Sequence, residues 1–393
     1  MNSTDLKDLI FDMDIVDTHC HLVHDNLTAT DFWAIAEYFW LARQLWAAGY
    51  PRNASELDEK TRVSEFCKAF RSSRNTVWCW ALDRIFKDLY SIALSDEKSV
   101  HKAIEAVRDS RADPKWADTV VLKTKLKKAV VNSPEEHREF PGLPDICVTV
   151  PRIDGKIKTW ASRINDAENK FHEAETVAQE IEQLVKHYKK NERKGIMTTI
   201  PRFEGQTNIN PNDILTKDSG FDDALIFVLH CLSSAVEKQG MFLQFFLGVE
   251  SNYCSQSVPA NDPDRVTKLY GLFERYSCPF DIVLATKINN IDAIWAANIF
   301  PNVYVGAMWW YNYLPELYRE TLQYRIEAVP MVKSSIIATD ARCLEWSYGK
   351  ALVVKKVLAE FLAQQIKLGW IDEDLAVRTA RCWLCETPMK LFV

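Results

Sequence analysis

The sequence predicts a (β/α)8 barrel that carries an inserted helical block near its N-terminus. Short apolar runs alternate with helical segments through most of the chain, and strands that alternate with helices form parallel sheets. Eight such runs can be counted, which is the number that closes a barrel. A doubly wound sheet is the alternative, but the sequence has no Gly-x-Gly-x-x-Gly or Gly-x-x-x-x-Gly-Lys segment to cradle nucleotide phosphates.

The apolar runs place the strands as follows. The first run, 13–16, ends in the segment Val-Asp-Thr-His-Cys-His of residues 16–21. The other seven predicted strands are 128–132, 146–150, 196–200, 241–247, 280–285, 302–307 and 334–339. Helices are predicted over 164–189, 222–238, 263–276, 291–298 and 314–327. We expect residues 1–393 to form a single barrel domain.

Residues 30–110 read as a helical block inserted after the first strand. The segment 31–48 is rich in aromatic residues and stops at Gly49 and Pro51, and so many aromatic side chains on one helix predict burial on several faces. Helical patterns continue over 56–70, 77–94 and 99–109.

Composition excludes several classes of protein. With 48 basic and 54 acidic residues the formal net charge is −6, so there is no overall basic surface for nucleic acid. No apolar run approaches the roughly 18 residues that span a bilayer, and residues 1–10 do not resemble a secretory signal. The ten cysteines are scattered, and Cys382-x-x-Cys385 has no second pair, so we expect reduced thiols and a cytoplasmic protein.

A metal site is predicted where the first strand ends. Alternate side chains of a strand point the same way, so His19 and His21 can face one ion while Cys20 turns into the packing. This spacing also fits an ordinary polar strand end. Asp340 follows the last strand, which pairs with the first in a closed barrel. Together they form a two-histidine, one-carboxylate set that leaves an open position on one divalent ion.

Other polar or aromatic residues follow the remaining strands. Arg202 follows the fourth strand, Glu250 the fifth, Trp309 and Trp310 the seventh, and Arg342 the eighth. Each has a structural alternative. Arg342 could pair with Asp340 as a salt bridge, and of the two adjacent tryptophans at most one can line a pocket. Two further histidines have plain interpretations, His24 as a solvated loop residue and His230 as helix packing.

These residues resemble the amidohydrolase superfamily of metal-dependent barrels. The resemblance rests on the segments Asp-Thr-His-Cys-His-Leu at 17–22 and Ala-Thr-Asp-Ala-Arg at 338–342. Within the superfamily the sequence is most similar to uronate isomerase and its uncharacterised relatives. The features shared with them are the helix ending Ala-Ala-Gly at 47–49, the segment Val-Gly-Ala-Met-Trp-Trp-Tyr-Asn at 305–312, the Asp340-x-Arg342 pair and two closing helices within 348–392.

The resemblance implies one divalent metal, commonly zinc, held by His19, His21 and Asp340. It implies catalytic roles for Asp340 and Arg342, with Asp340 as the candidate proton acceptor. Substrate contacts are expected from Arg202, Trp309 and Trp310. The implied reaction is the isomerisation of an aldose to a ketose in a hexuronate-like sugar acid, whose carboxylate Arg202 or Arg342 would clamp.

The sequence also departs from the family pattern. Phe246 occupies the place of a histidine at the end of strand five, Tyr313 replaces an acid, and the segment 350–356 replaces an arginine-rich stretch. Strand four ends without a lysine that could bridge a second ion, so a binuclear site is not expected. Glu250 is a candidate substitute for the missing histidine.

Three hypotheses about function follow. The first is a sugar-acid isomerase, favoured by the double tryptophan and the Asp-x-Arg pair. The second is a mononuclear hydrolase or decarboxylase of another carboxylated small molecule, favoured by Phe246 and the lost arginines, which make a drier pocket. The third is a degenerate barrel without catalysis, suggested by the missing histidine alone. The expected partner is a small carboxylated molecule, and self-association into a homo-oligomer stays open.

Overall fold

Parallel strands arranged in a ring dominate the computed structural model, which describes residues 3–23, 27–133, 144–250, 257–260, 262–309 and 314–393. The strands in these ranges are β1 (Ile15–Cys20), β2 (Leu126–Ser133), β3 (Cys147–Pro151), β4 (Gly195–Thr199), β5 (Phe242–Leu247), β6 (Val249–Glu250), β7 (Val258–Pro259), β8 (Phe280–Leu284) and β9 (Val303–Met308). Six of the strands predicted after the first run are confirmed within a residue or two of their expected bounds.

The ring consists of two parallel sheets, with strand orders β1-β2-β3 and β4-β5-β8-β9. A bridge between Arg152 and Met197 joins β3 to β4. On the other side, the segment 334–340 lies between β9 and β1, because Ser335 N donates to Val305 O over 3.1 Å and Thr18 N donates to Ile337 O over 2.8 Å. These bonds complete an eight-membered ring, as the predicted barrel requires. Strands β6 and β7 form a separate antiparallel pair.

The eighth member of the ring departs from the prediction, since 334–339 is not a regular strand. The buried carboxylate of Asp17 accepts a hydrogen bond from Thr339 N at 2.8 Å and a second one from the Thr339 hydroxyl. Asp340 then adopts a positive φ of 55°. The Asp17 side chain therefore accepts the hydrogen bond from Thr339 N that a neighbouring strand would accept in a regular sheet. The chain then turns at Asp340, where the strand would otherwise continue.

Helix α1 (Ser3–Asp12) precedes β1, and the helices between β1 and β2 form the inserted block. They are α2 (Phe32–Ala36), α3 (Phe39–Ala47), α4 (Glu59–Ser73), α5 (Val77–Leu89), α6 (Glu97–Ala112) and α7 (Trp116–Thr124). Asp58, Thr76 and Asp96 cap the backbone N–H groups at the starts of α4, α5 and α6. The predicted helix 31–48 is two helices, because Tyr38 takes an extended conformation between them.

The later helices are α8 (Asp154–Asp166), α9 (Lys170–Lys190), α10 (Phe221–Lys238), α11 (Tyr270–Arg275), α12 (Asn290–Ile299), α13 (Pro315–Ala328), α14 (Leu344–Leu368), α15 (Glu373–Arg381) and α16 (Thr387–Phe392). The predicted helix 164–189 is wrong in its first part: α8 ends at Asp166, and the side chain of Asn169 caps α9. The predicted helix 263–276 is regular only in α11. Cys382 and Cys385 lie in one π-helical turn between α15 and α16.

The packing of α14 ties the inserted block to the barrel. Trp346 is fully buried, donates from Nε1 to Ile35 O over 2.9 Å and stacks against Tyr38 with ring centroids 4.7 Å apart. A Cβ at Gly349 would lie 2.7 Å from Ile85 Cδ1, so any larger residue here would force the Ile85 side chain between α14 and α5 to move. Helix α14 thereby packs the inserted block against the barrel. Among the described residues, no helix is both long and apolar enough to cross a bilayer.

Candidate metal centre

Three predicted ligands converge at the carboxyl end of β1. Nε2 of His19 lies 3.2 Å from Oδ1 of Asp340, and Nε2 of His21 lies 3.1 Å from the same oxygen. All three ligand atoms lie within 4.8 Å of one another. Two ligands about 2.1 Å from a tetrahedral ion would be separated by roughly 3.4 Å. The donor set therefore has the chemistry and the spacing of a mononuclear site for a divalent metal.

An irregular register in β1 presents the histidines. Asp17 pairs with Ala129 and Cys20 pairs with Val131, so β1 contains one more residue than β2 between these two pairs, which is a β-bulge. This bulge turns Asp17 toward Thr339 on the outer side, while His19 faces the barrel interior beside Phe246. His21 follows two residues later on the same side. The bulge explains how an acid and two histidines in one short strand serve different partners.

The backbone of Asp340 is held from two sides. Its N–H donates to His19 O over 2.8 Å, and its carbonyl accepts a hydrogen bond of 2.8 Å from the hydroxyl of Tyr38. Residues other than glycine rarely adopt a positive φ, and they do so where the surrounding structure imposes it. The carboxylate is thus aimed at the histidines by a conformation that Tyr38 and β1 enforce.

Two tryptophans bind the carboxylate of Asp340. Trp40 donates from Nε1 to Oδ2 over 2.9 Å, and Trp309 donates from Nε1 to Oδ1 over 3.3 Å. Trp309 is therefore at the predicted site, although its indole N–H is directed at the carboxylate. Trp40 comes from α3, and nothing in the sequence distinguished it from the other aromatic residues of that helix. These donors orient the ligand, as groups around a metal commonly do.

Lys350 is a second contributor that the sequence did not single out. It is fully buried in α14, donates from Nζ to the hydroxyl of Tyr38 over 2.7 Å and also donates to the carbonyl of Thr339. Its ammonium group lies 4.6 Å from the ring centroid of Tyr38. Burial lowers the pKa of Lys350 to about 7, opposed by the negative charges of Asp340 and Asp17. The signal was present in the segment 350–356, but only as a replacement for arginines.

The charge state of the ligands suits a divalent cation. Burial lowers the pKa of His19 to about 4, opposed by its hydrogen bond with Asp340, and the nearby positive charge of Arg152 adds to the lowering. For Asp340, burial acts to raise the pKa, but the hydrogen bonds with His19 and His21 hold it well below its ordinary value. At neutral pH the centre thus offers a neutral imidazole and an ionised carboxylate, the forms that bind metal.

Phe246 fills the position where a histidine was expected. Its ring centroid lies 4.5 Å from that of His19 and 4.8 Å from that of Trp309, and the side chain is fully buried. The described part of strand five supplies no ligand to the centre. The floor beside His19 is aromatic and apolar, which agrees with the drier pocket predicted from the sequence.

Arg152 is a cation at the barrel mouth that the sequence analysis overlooked. It follows β3 and pairs with Met197, whose side chain belongs to the same core as Phe246, so the register directs it inward. Its Nε and Nη2 atoms lie 2.7 and 2.5 Å from Oδ2 of Asp154. The other oxygen of Asp154 accepts from Thr199 N over 2.7 Å. This pairing fixes the guanidinium plane near His19.

The two predicted arginines are both exposed. Arg202 is exposed, and its Nη2 is 3.2 Å from Oε1 of Glu204. Arg342 is exposed too, and its guanidinium lies 5.2 Å from the ring centroid of Phe39. Arg342 therefore does not form a salt bridge with Asp340, whose ionic partners among the described residues are His19 and His21.

The other candidates also have definite positions. Glu250 forms an ion pair with the buried Arg265, so its carboxylate does not substitute for the missing histidine. His230 packs in α10 as expected, with Nδ1 3.0 Å from the hydroxyl of Tyr276 and Nε2 3.0 Å from Thr207 O. Trp310, His24 and Tyr313 lie outside the described residues.

Comparison with known proteins places this architecture among solved structures. No family model matches the sequence, and no curated protein matches it significantly. A uronate isomerase from Thermotoga maritima superposes with a TM-score of 0.83 at 15% identity, covering 100% of this chain and 97% of that one. A glucuronate isomerase from Caulobacter crescentus gives 0.78 at 14% identity, with coverage of 99% and 93%. A provisionally assigned metal-dependent hydrolase from Lactobacillus casei gives 0.61 at 14% identity, with coverage of 98% and 97%.

The chain therefore has the fold of the uronate isomerases over its whole length. This confirms the predicted barrel class. The inserted helical block is included in the superposition, since nearly the entire chain is covered.

Proposed function

We propose that this protein is a metal-dependent isomerase that interconverts the aldose and ketose forms of a hexuronate-like sugar acid. The observation that carries the proposal is the convergence of His19, His21 and Asp340 at the carboxyl ends of the barrel strands, where such barrels place their catalytic groups. The shared fold with uronate isomerases over the full chain supports the choice of reaction.

The proposed cofactor is one divalent ion, with zinc as the expected metal. Two imidazole nitrogens and one carboxylate oxygen are typical zinc ligands, and three protein ligands leave a position open for substrate. When bound, such an ion stabilises negative charge that develops on a substrate oxygen.

The chain's own residues would divide the remaining tasks. The ionised carboxylate of Asp340 can accept a proton from a substrate hydroxyl, and Trp40 and Trp309 keep its two oxygens oriented. Phe246 beside His19 excludes water, which strengthens electrostatic interactions within the site.

Arg152 is the proposed anchor for the substrate carboxylate. Asp154 engages its Nε and Nη2 atoms, which leaves Nη1 without a hydrogen bond to any described residue. The sequence-based assignment gave this task to Arg202 or Arg342, and the exposed positions of those residues favour Arg152 instead. Charge-assisted bonds from a guanidinium recognise a carboxylate well.

A mononuclear hydrolase or decarboxylase is the second candidate function. The observation that favours it is the apolar floor formed by Phe246 beside His19, where a third imidazole was expected. In that reaction Asp340 would accept a proton from water. The third hypothesis, binding without catalysis, predicts a protein that holds no metal.

The cellular setting is part of the same proposal. All nine cysteines within the described residues are free thiols, which supports a reducing, cytoplasmic compartment. The expected partner remains a small carboxylated molecule.

The decisive experiment combines metal analysis with isotope exchange. Purified protein should contain about one divalent ion per chain and should incorporate deuterium from solvent at C2 of glucuronate or galacturonate during turnover. Activity on amides, lactones or aromatic acids without reaction of either uronate would select the hydrolase or decarboxylase. A protein that stays free of metal after reconstitution would refute both enzymatic proposals.

A further inference from the structure

Asn132 is an unusual residue at the carboxyl end of β2. It is 4% exposed, yet within the described residues neither its Oδ1 nor its Nδ2 has a hydrogen-bond partner. A buried polar group without a partner is unfavourable. Buried polar groups are nearly always satisfied, and a bound ligand can supply the partner here.

The strand register directs Asn132 toward the mouth of the barrel. It pairs with Val150, which lies two residues before Arg152 and therefore on the same, inward side of β3. Cys20 pairs with Val131, so the next residues along the two strands, His21 and Asn132, are neighbours. The amide thus lies between a metal ligand and the proposed carboxylate anchor.

Thr199 repeats this pattern one strand beyond Arg152. It pairs with Phe246, whose ring contacts His19, and so faces the interior at the level of the metal centre. Its Oγ1 atom is buried and likewise lacks a hydrogen-bond partner in the part of the chain that the structure describes. Three consecutive strand ends therefore present an amide, a guanidinium and a hydroxyl to the same space.

We propose that Asn132 is a substrate-recognition residue that binds a hydroxyl group on the carbon chain of an acyclic polyhydroxy acid. The inference rests on the proposed function. A hydroxyl both donates and accepts, so it can match the Nδ2 donor and the Oδ1 acceptor of one amide, whereas a carboxylate would satisfy only the donor. If Arg152 binds the carboxylate of the ligand, Asn132 is placed to bind a hydroxyl group on the carbons between that carboxylate and the metal position.

This role has a consequence that separates it from a structural one. Because the amide makes no hydrogen bond to the described residues, an apolar residue of similar size should not lower stability. The same replacement should weaken binding of a hydroxylated ligand. Replacing a structural asparagine should instead lower stability and leave ligand binding unchanged. Asn302 is such a residue, because its Nδ2 donates to Phe273 O over 3.0 Å at the far end of the barrel.

The test compares Asn132→Leu with Asn302→Leu in the full-length, metal-loaded protein. Calorimetry would measure binding of D-glucarate, a hydroxylated six-carbon diacid that cannot be isomerised, and of adipate, which has the same chain without hydroxyl groups. Urea unfolding would give the free energy of unfolding. We expect Asn132→Leu to bind glucarate at least tenfold more weakly, to bind adipate as the wild type does, and to be no less stable. Asn302→Leu should lose stability and keep glucarate affinity.

Two results would overturn the proposal. One is wild-type affinity of Asn132→Leu for glucarate; the other is a loss of stability like that of Asn302→Leu with both ligands weakened equally. If leucine prevents folding, Asn132→Ala gives the same comparison of the two ligands. A wild-type protein that binds neither glucarate nor glucuronate would contradict the proposed function itself, which distinguishes that failure from a failure of Asn132 alone.

Discussion

The ammonium group of Lys350 lies 2.7 Å from the hydroxyl oxygen of Tyr38, and both side chains are buried. The Tyr38 hydroxyl in turn donates to the carbonyl of Asp340, whose positive φ aims its carboxylate at His19 and His21. Lysine, tyrosine and backbone thus form one chain of contacts behind the metal centre. None of these groups contacts the ion position, so their contribution is to hold Asp340 in place.

Replacing either partner should therefore weaken metal binding. We expect Lys350→Met and Tyr38→Phe to reduce zinc affinity about tenfold or more, the range found for groups that orient metal ligands. Competition with a chromogenic chelator would measure this. Lys355→Met is the matched control, because Lys355 is buried in the same helix but bonds the carbonyls of Phe11 and Met13. An equal loss of affinity in all three variants would contradict the assigned role.

The ligands themselves should control metal content without controlling the fold. Asp340→Asn and His19→Ala are each expected to abolish binding of the ion at micromolar concentration, while circular dichroism stays that of a folded protein. The reason is that the strands and helices of the barrel are stabilised mainly by apolar packing. Metal retained at one equivalent in both variants, measured by elemental analysis, would place the site elsewhere.

Phe246 offers a gain-of-function test. Because its ring lies 4.5 Å from that of His19, Phe246→His should add a further imidazole to the centre and raise zinc affinity about tenfold. Phe245→His is the control, since Phe245 lies on the opposite face of β5 against Phe280. That variant should lose stability and gain no affinity. Unchanged binding by Phe246→His would mean that this position does not reach the ion.

Arg152 and Arg202 can be compared directly as carboxylate anchors. Losing a charge-assisted hydrogen bond costs about 1.5–3 kcal/mol. Arg152→Met should therefore raise KM for a uronate by roughly 10- to 100-fold with a smaller change in kcat. Arg202→Met should raise KM less, because that side chain is exposed and pairs with Glu204. The reverse order of the two KM values would restore the sequence-based assignment.

His230 should make stability depend on pH. Burial lowers its pKa to about 4 from an ordinary 6.5, so the unfolded chain binds the proton more readily than the folded protein does. The free energy of unfolding should fall as the pH drops from about 6.5 toward 4, by at most about 2–3 kcal/mol. His230→Gln should flatten this dependence in urea titrations at several pH values. His172→Gln, at an exposed site in α9, should leave the dependence unchanged.

Local pattern was sufficient for much of the barrel. Strands such as β5 and β8 are apolar apart from one buried polar residue each, Gln244 and Asp281. Parallel strands are covered on both faces, so such mostly apolar runs can be recognised in a sequence. Helix breaks were harder to place. The interruption at Tyr38 depends on contacts with Lys350 and Trp346, which are about three hundred residues away in the chain.

The site divides in the same way. The sequence by itself determined the ligand types, His19, His21 and Asp340, because a histidine pair at a strand end and an acid after the last strand are patterns of residue type and order. Only the tertiary structure decided which other residues surround them. In the sequence, nothing distinguishes Arg152, Trp40 and Lys350 from other residues of a loop and two helices. Their roles depend on strand register and helix packing, and those are fixed by contacts between distant segments that local periodicity does not encode.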